Sequence, residues 1–391
     1  MITSATTTPQ LRAGYTTGIC ATACTRAALL AWLTQQRQTS VTVSLPDGET
    51  VEFPLDSCRI ETDGAICTVR KNAGADPDVT HQAIIGCRVT WRLEPTIVFR
   101  RGEGVGIVTL PGLPVPVGEP AINPVPRRMM TTVVRNTLAA HGRSGGAEIE
   151  VFVRGGAEIA TKTINYRLGV VGGISIIGTT GRVRPFSSEA YIASISSALD
   201  VAAATGCSRV VLNSGGHTES MLRTQFFDLS PQAFIQYGNW IGKTLERLRA
   251  TPIRTATIGL MLGKAAKLAV GHLDTHSQRS TWDRAFVAGL ARECGYHEPI
   301  VAAISSLILA RQLGELVPFS ANEPLYHTLC ARCHAICQPL IPDIPLEIRL
   351  HNDGSGWLIH ADGKTRAANQ DSDNRIGFST HEPHPHTRRC R

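Results

Sequence analysis

Two patterns predict an α/β protein built in two parts. Up to Val153 the chain reads as short strands of alternating polarity joined by tight turns, which implies antiparallel pairing with few helices. From Leu168 short apolar strands alternate with helical segments instead, as parallel βαβ units require. A third observation sets the scale: 391 residues suit two domains of roughly 150 residues each. The expected architecture is an α+β domain with a mainly antiparallel sheet over 12–167, then a Rossmann-like three-layer αβα domain over 168–345. A flexible N-terminus (1–11), a closing β-hairpin (346–362) and a disordered basic tail (363–391) flank them.

The elements follow in order. Thr16-Thr17-Gly18 caps the alanine-rich helix ICATACTRAALLAWLTQQR, in which Cys20 and Cys24 share a buried face. Val41, Val43 and Leu45 alternate with polar residues, Pro46-Asp47-Gly48 turns, and Val51 and Phe53 return. A second hairpin turns at Asp63-Gly64 into Ile66-Cys67-Thr68-Val69, and Cys87, Val89, Trp91 and Leu93 form a half-buried strand. Pro126 marks a helix start and Gly142 its end, before a strand through Ile149, Val151 and Val153. In the second part ISIIG (174–178), RVVLN (209–213), AFIQY (233–237) and TATIGLML (255–262) read as strands. Ser187-Ser188-Glu189 caps a helix through Thr205. Helices continue to about Leu340, and LEIRLHNDGSGWLIHA closes as a hairpin around Asp353-Gly354. From Gly363 on the composition is polar and patternless, so removing 364–391 is expected to expose no core.

Composition excludes several function classes. Net charge is +7, from 39 basic and 32 acidic residues, which suits a polyanionic ligand as well as an ordinary protein surface. Aromatics are only 5% and no basic run is interleaved with them, which argues against nucleic acid. No apolar run of about 18 residues suggests a membrane span. The N-terminus lacks a basic region followed by an apolar one, so a cytoplasmic chain is expected. Most of its eleven cysteines are then free thiols rather than a disulfide framework. A homo-oligomer stays open.

Between Arg101 and Arg127 lie five glycines and six prolines, a density that no regular helix or central strand survives. Yet Val105, Ile107, Val108, Leu110, Leu113, Val115, Val117 and Ile122 give the stretch apolar surface to bury, unlike a linker. It reads as a shaped wall carrying Glu103, Glu119, Asn123 and Arg127. In KNAGADPDVTH (71–81), Asp76 and Asp78 flank Pro77 and precede Thr80 and His81. Such a segment orients ligand groups or accepts a proton, or else is an Asx-type turn with Thr80 as a cap. His272-x-Asp274-x-His276 places alternate side chains on one face of an extended segment, as shared metal ligation needs. No further motif accompanies it, so no protein-bound metal is expected. Contact with a ligand, proton handling or a helix cap are the other roles. Cys330-Ala-Arg-Cys333-His334 matches the c-type haem attachment pattern, but without a secretion signal it reads with Cys337 as a buried stripe. His381, His384, His386 and Cys390 among the tail's prolines suit metal scavenging at most.

Three segments together, GYTTGIC (14–20), KNAGADPDVT (71–80) and VGEPAINPVPR (117–127), resemble the cobalt-precorrin-5B C1-methyltransferase family of anaerobic cobalamin biosynthesis. TKTINYRLGVVGGISIIGTTGRVRP (161–185) and GKAAKLAVGHLDTHS (263–277) are similar to later blocks of that family, in the same order, so the resemblance spans about residues 12–350. It implies an enzyme that transfers a methyl group from S-adenosyl-L-methionine to C1 of an anionic, ring-contracted cobalt-tetrapyrrole to give cobalt-precorrin-6A. The cobalt is then part of the substrate. Where the family carries further aspartates this chain has Asn72 and Ala75, which leaves Asp76 and Asp78.

The resemblance also implies a cofactor site without the usual methyltransferase signature, and no G-x-G-x-x-G occurs at a strand end. The expected cofactor loop is Gly172 and Gly173 with Gly178, Thr179, Thr180 and Gly181, where backbone amides stand bare at a strand end. A second loop is Ser214, Gly215 and Gly216, with Glu219 for ribose hydroxyls. Expected substrate contacts are Thr16, Thr17, Lys71, Arg101, Glu119, Asn123 and Arg127, the cations as anchors for ring carboxylates. Asp76, Asp78, His81, His272 and His276 are the expected proton-handling groups. On this reading Gly181→Val impairs cofactor binding more than folding, and Arg127→Ala weakens tetrapyrrole binding. Two rival readings stay open: a non-catalytic tetrapyrrole carrier, and a metal-dependent hydrolase built on His272, Asp274 and His276.

Overall fold

A computed structural model describes residues 13–276, 282–352 and 356–368. By internal contact the chain divides into two units, one of 1–210 with 226–237 and 246–254, the other of 211–225 with 238–245 and 255–391.

In the first unit a two-residue strand, β1 (Gly14–Tyr15), leads into the long helix α1 (Thr17–Thr34). Then come the hairpin β2 (Ser40–Ser44) and β3 (Thr50–Pro54), the strands β4 (Ser57–Ile60), β5 (Gly64–Arg70), β6 (Ile84–Arg92) and β7 (Ile97–Arg101), and the short β8 (Ile107–Val108). Helix α2 (Pro124–Ala140) precedes β9 (Gly146–Val153), α3 (Gly156–Ala160), β10 (Val170–Val171), β11 (Arg182–Val183) and α4 (Ser188–Ala204). Both predicted hairpins form, Val41 opposite Phe53 and Ser57 opposite Thr68. The main sheet runs β4-β5-β6-β9-β7 and is antiparallel except where β7 lies parallel to β9.

Helix α1 is the centre of this unit. Alanine, cysteine and threonine cover it on all sides, and a helix without a polar face belongs inside a core. It packs on β5, β6 and α2, and its small side chains allow close approach. The Cys24 thiol donates to Ile85 O at 3.2 Å, and that of Cys87 donates to Ala21 O at 3.3 Å. Burial pushes the Cys20 thiol up to about 12 and that of Cys24 well above its ordinary range, so both stay protonated packing groups. Helix α2 begins at Pro124, two residues before the expected Pro126. Both prolines fit its first turn, where amide hydrogens have no intrahelical partner.

The expected strand at 174–178 is not part of a ladder. Ile174 bridges to Val105 and Ile176 to Ile122, and their backbones bond Gly104, Gly106, Ala121 and Asn123. Their partner is thus the Gly/Pro stretch itself, whose prolines cannot supply an unbroken row of donors. The domain change expected at 168 falls inside this unit.

The alternation of strand and helix then appears as predicted: β12 (Arg209–Asn213), α5 (Gly216–Gln225), β13 (Phe234–Gln236), α6 (Ile241–Leu248), β14 (Thr255–Met261) and α7 (Leu262–Ala269). Helices α8 (Arg284–Glu293), α9 (Glu298–Ser306), α10 (Leu313–Leu316) and α11 (Pro324–Cys337) follow. The chain then forms β15 (Leu346–His351), β16 (Trp357–Ala361) and β17 (Lys364–Ala367). The closing hairpin is no appendage. β15 lies parallel to β14 from Ala256↔Leu346 to Met261↔His351, so the hairpin extends the sheet of the second unit.

Strand β17 overturns the expectation of disorder from Gly363 onward, at least through Ala367. It pairs antiparallel with β16, and an edge strand held by backbone bonds needs no apolar alternation. Residues 1–12 and 369–391, with the flexible N-terminus and His/Cys tail expected there, lie outside the described residues, as does the Asp353-Gly354 turn. Cys330, Cys333 and Cys337 are buried along α11 as expected, and the Cys333 thiol donates to Ala265 O of α7 at 3.2 Å. Burial pushes Cys330 and Cys337 up to about 12. All ten cysteines among the described residues are free thiols. No described helix is long and apolar enough to cross a membrane.

Candidate active site

Sequence-distant blocks of the first unit meet at the N-terminus of α1. Thr16 caps the helix, accepting from Ile19 N. The Thr17 hydroxyl accepts from Ile177 N at 2.8 Å and donates toward Ile177 O at 3.2 Å, while Gly18 N donates to Ile177 O at 2.9 Å. Thr16 N reaches Gly181 O at 2.9 Å, β1 pairs with β11, and Tyr15 N donates to Asn72 O at 2.8 Å. Both threonines are therefore buried joints. Four glycines expected to cradle a cofactor are here explained by close approach. A Cβ on Gly178 would stand 2.2 Å from Thr16 Oγ1, one on Gly173 2.3 Å from Gly104 C, one on Gly172 2.5 Å from Arg101, and one on Gly181 2.7 Å from Leu45 Cδ2. Thr180 turns the chain toward Arg182, and Thr179 is exposed.

This reverses the expectation for Gly181→Val. With φ at +79° and Leu45 against it, the substitution lowers stability by roughly 1–3 kcal/mol, seen as a fall in Tm, before any ligand is involved. An unchanged Tm would show that Leu45 moves aside freely.

The 71–82 loop is built on an ion pair between a buried lysine and a half-buried aspartate. Lys71, 1% exposed, sets its ammonium 2.6 Å from Asp78 Oδ2, and Asp78 Oδ1 accepts from the Thr80 amide and hydroxyl. Burial alone raises the Asp78 carboxyl, but Lys71 and Thr80 outweigh it and hold it below its ordinary value. The His81 Nδ1 accepts from Ala73 N at 3.1 Å, which places the proton of a neutral ring on Nε2. Asp76 Oδ1 accepts from Phe186 N at 3.0 Å. The three expected proton acceptors thus face three different backbone or side-chain partners.

The arginines of the Gly/Pro stretch hold that stretch itself. Arg101 donates to Val105 O at 2.7 Å and to Gly172 O at 3.4 Å. Arg127 donates to Ile122 O and Pro120 O, pairs with Glu119 at 3.3 Å, and lies over the Phe99 ring. Such a fork of donors fixes a wall whose prolines leave carbonyls unmatched by amides. Asn123 occupies the cap position of α2 without a side-chain cap bond.

In the second unit, Asn213 ends β12 and accepts from Gly215 N at 3.2 Å. Its amide donates to Glu219 Oε2 at 3.2 Å, and Arg223 closes on Oε1 at 2.9 Å. Glu219 is 2% exposed and engaged on both oxygens, so it braces the loop rather than presenting itself to a ribose. Gly215 and Gly216 differ from the glycines above: neither has a left-handed φ, and a Cβ at either meets nothing within 4 Å. Asp274 Oδ1 turns back to accept from His276 N at 3.1 Å, so the 272–276 segment is a turn rather than an extended run. Among the described residues no three His, Cys, Asp or Glu side chains gather as metal ligands.

Lys264 escaped the sequence reading, although it stands in the first turn of α7 directly after β14. Its ammonium reaches Gly238 O and Asn239 Oδ1 at 2.7 Å and Thr275 Oγ1 at 3.1 Å. Burial, helped by Lys267 and opposed by Asp274, lowers it to about 8.

The model described as CbiD matches residues 4–185, and that described as CbiD, C-terminal domain, matches 274–362. A cobalt-precorrin-5B C(1)-methyltransferase of Prosthecochloris aestuarii is 45% identical over 90% of this chain and 96% of its own. The chain belongs to the CbiD family. Proteins of the same name from a Geobacillus species and Burkholderia cenocepacia share 45% and 43% identity, over 83% and 85% of this chain and 88% and 91% of theirs. A solved cobalamin biosynthesis protein of Archaeoglobus fulgidus is 27% identical, over 72% of this chain and 84% of that one, with a TM-score of 0.38. The first CbiD match contains every segment that meets at the α1 terminus.

Proposed function

We propose that this chain transfers a methyl group from S-adenosylmethionine to C1 of cobalt-precorrin-5B, giving cobalt-precorrin-6A. The observation that carries the reaction is the match, along nearly their whole length, to proteins bearing that name. S-adenosylmethionine, when bound, supplies an electrophilic methyl group. The residues fit it best at Ser214–Gly216: two glycines that neither strain nor packing demands leave room for close backbone approach at a strand end, at the start of α5. Asn213 and Glu219 hold that loop in shape.

The macrocycle falls to the first unit. The wall 101–127 and the α1 terminus offer fixed backbone and a few charges, and Asn123 has an amide to offer a ring carboxylate. Asp78 and His81 shape the 71–82 loop rather than take the proton, because each already holds its acceptor site. Rate acceleration then comes mainly from positioning.

Incubation with methyl-labelled S-adenosylmethionine and cobalt-precorrin-5B tests the reading. Mass spectrometry is expected to find one label at C1. Label on another carbon would move the site of attack, and absence of transfer by folded protein would leave a carrier.

A further inference from the structure

We infer that Phe186 is a stacking platform for the flat face of the tetrapyrrole, and that Asp76 is its positioning residue rather than a proton acceptor. The inference rests on the methyl-transfer reading above and assigns a residue to it. Phe186 combines three features that a simple turn avoids. Its φ is +56°, a left-handed conformation that bulky side chains rarely adopt. The residue is 73% exposed. Its backbone amide is held by a carboxylate from a distant loop, Asp76 Oδ1 at 3.0 Å.

Simple helix chemistry does not account for it. Ser187 caps α4, accepting from Ala190 N at 3.2 Å, so Phe186 stands just before the cap. An apolar residue there normally packs four residues into the helix, here on Tyr191, which would bury the ring. Glycine or asparagine would make the same turn without strain. A strained residue kept in place by its surroundings points to a functional constraint. The neighbourhood agrees, because Asp76 lies on the 71–82 loop and Phe186 three residues beyond β11, both joined to β1. Val79 on the 71–82 loop and Ile177 on the segment leading into β11 are exposed as well. A broad conjugated ring is the ligand such a surface takes, through offset stacking on the aromatic face.

The test uses the full chain and cobyrinic acid, a stable cobalt corrin with free carboxylates, titrated by its visible absorption. Phe186→Gly is expected to keep or raise Tm, since it relieves the left-handed strain, yet weaken corrin binding about tenfold, as loss of one stacking partner does. Phe186→Trp retains affinity. Asp76→Ala weakens binding as Phe186→Gly does, and combining the two adds little, because one acts through the other. Asp76→Asn keeps an acceptor oxygen and restores both affinity and turnover.

Wild-type affinity in Phe186→Gly overturns the platform. Lost turnover with intact corrin binding in Asp76→Asn overturns the positioning role and returns Asp76 to proton transfer. A cooperative melting curve with the wild-type circular dichroism spectrum shows that each variant is folded. A wild-type chain that binds S-adenosylmethionine but takes up no corrin overturns the macrocycle reading, and this inference with it.

Discussion

Asp78→Ala is expected to lower stability by about 3–5 kcal/mol, the cost of stranding a buried charge. Lys71 is 1% exposed, and its ammonium has the Asp78 carboxylate at 2.6 Å. Removing the anion leaves the cation where water barely reaches it. Lys71→Met/Asp78→Ala removes both charges, and should recover most of the loss even though Asp78 also accepts from Thr80. The sign with pH follows from the lowered Asp78 carboxyl. Its contribution is fully present above the unfolded value of ~3.9 and disappears as pH falls through the folded one. Urea midpoints for wild type and Asp78→Ala should therefore differ at neutral pH and converge in acid. Equal midpoints at pH 7 would mean that Lys71 finds another acceptor.

The second large effect is expected at the other unit. Gly215→Val/Gly216→Val should weaken S-adenosylmethionine binding on the order of 100-fold, the scale on which small misplacements cost binding geometry. The same pair should leave Tm nearly unchanged, since a Cβ at either position meets nothing and neither backbone is left-handed. Calorimetric titration beside a melting curve separates the two. Unaltered affinity would remove the cofactor from this loop. A collapse in Tm would show that the glycines are structural after all.

What could be read from the sequence was local. Thr16 as a cap, the turns at Pro46-Asp47-Gly48 and Asp63-Gly64, and the alanine-rich α1 depend on neighbours within a few residues, so their pattern survives in one dimension. The cysteine stripe of α11 was legible for the same reason. The segment 174–177 was not, because it bonds to an irregular stretch some 50–70 positions earlier. Strand β17 was invisible because backbone pairing alone holds it. Family blocks marked where the candidate site would lie, but not what each residue does there. Glycines spaced like a phosphate cradle turned out to be contact points against Thr16, Leu45 and Gly104. Asp76, Asp78 and His81 looked like a base cluster, yet their partners are set by loop geometry that no spacing encodes. Conversely, Phe186 carried no signal at all, since an exposed aromatic is noticed only once its φ and surroundings are known.

The joint between the start of α1 and Ile177 has a consequence for how the protein is made. Thr17 and Ile177 are separated by 160 residues of chain. At ordinary elongation rates of about 5–20 residues per second, roughly 8–30 s pass between synthesis of the two partners. During that interval a helix that ends buried along most of its length has emerged without the segment that covers its leading end. Slowing translation between the two should lengthen the exposure, and ribosome-associated chaperones are the natural occupants of that window. The nascent chain waits on its own later sequence.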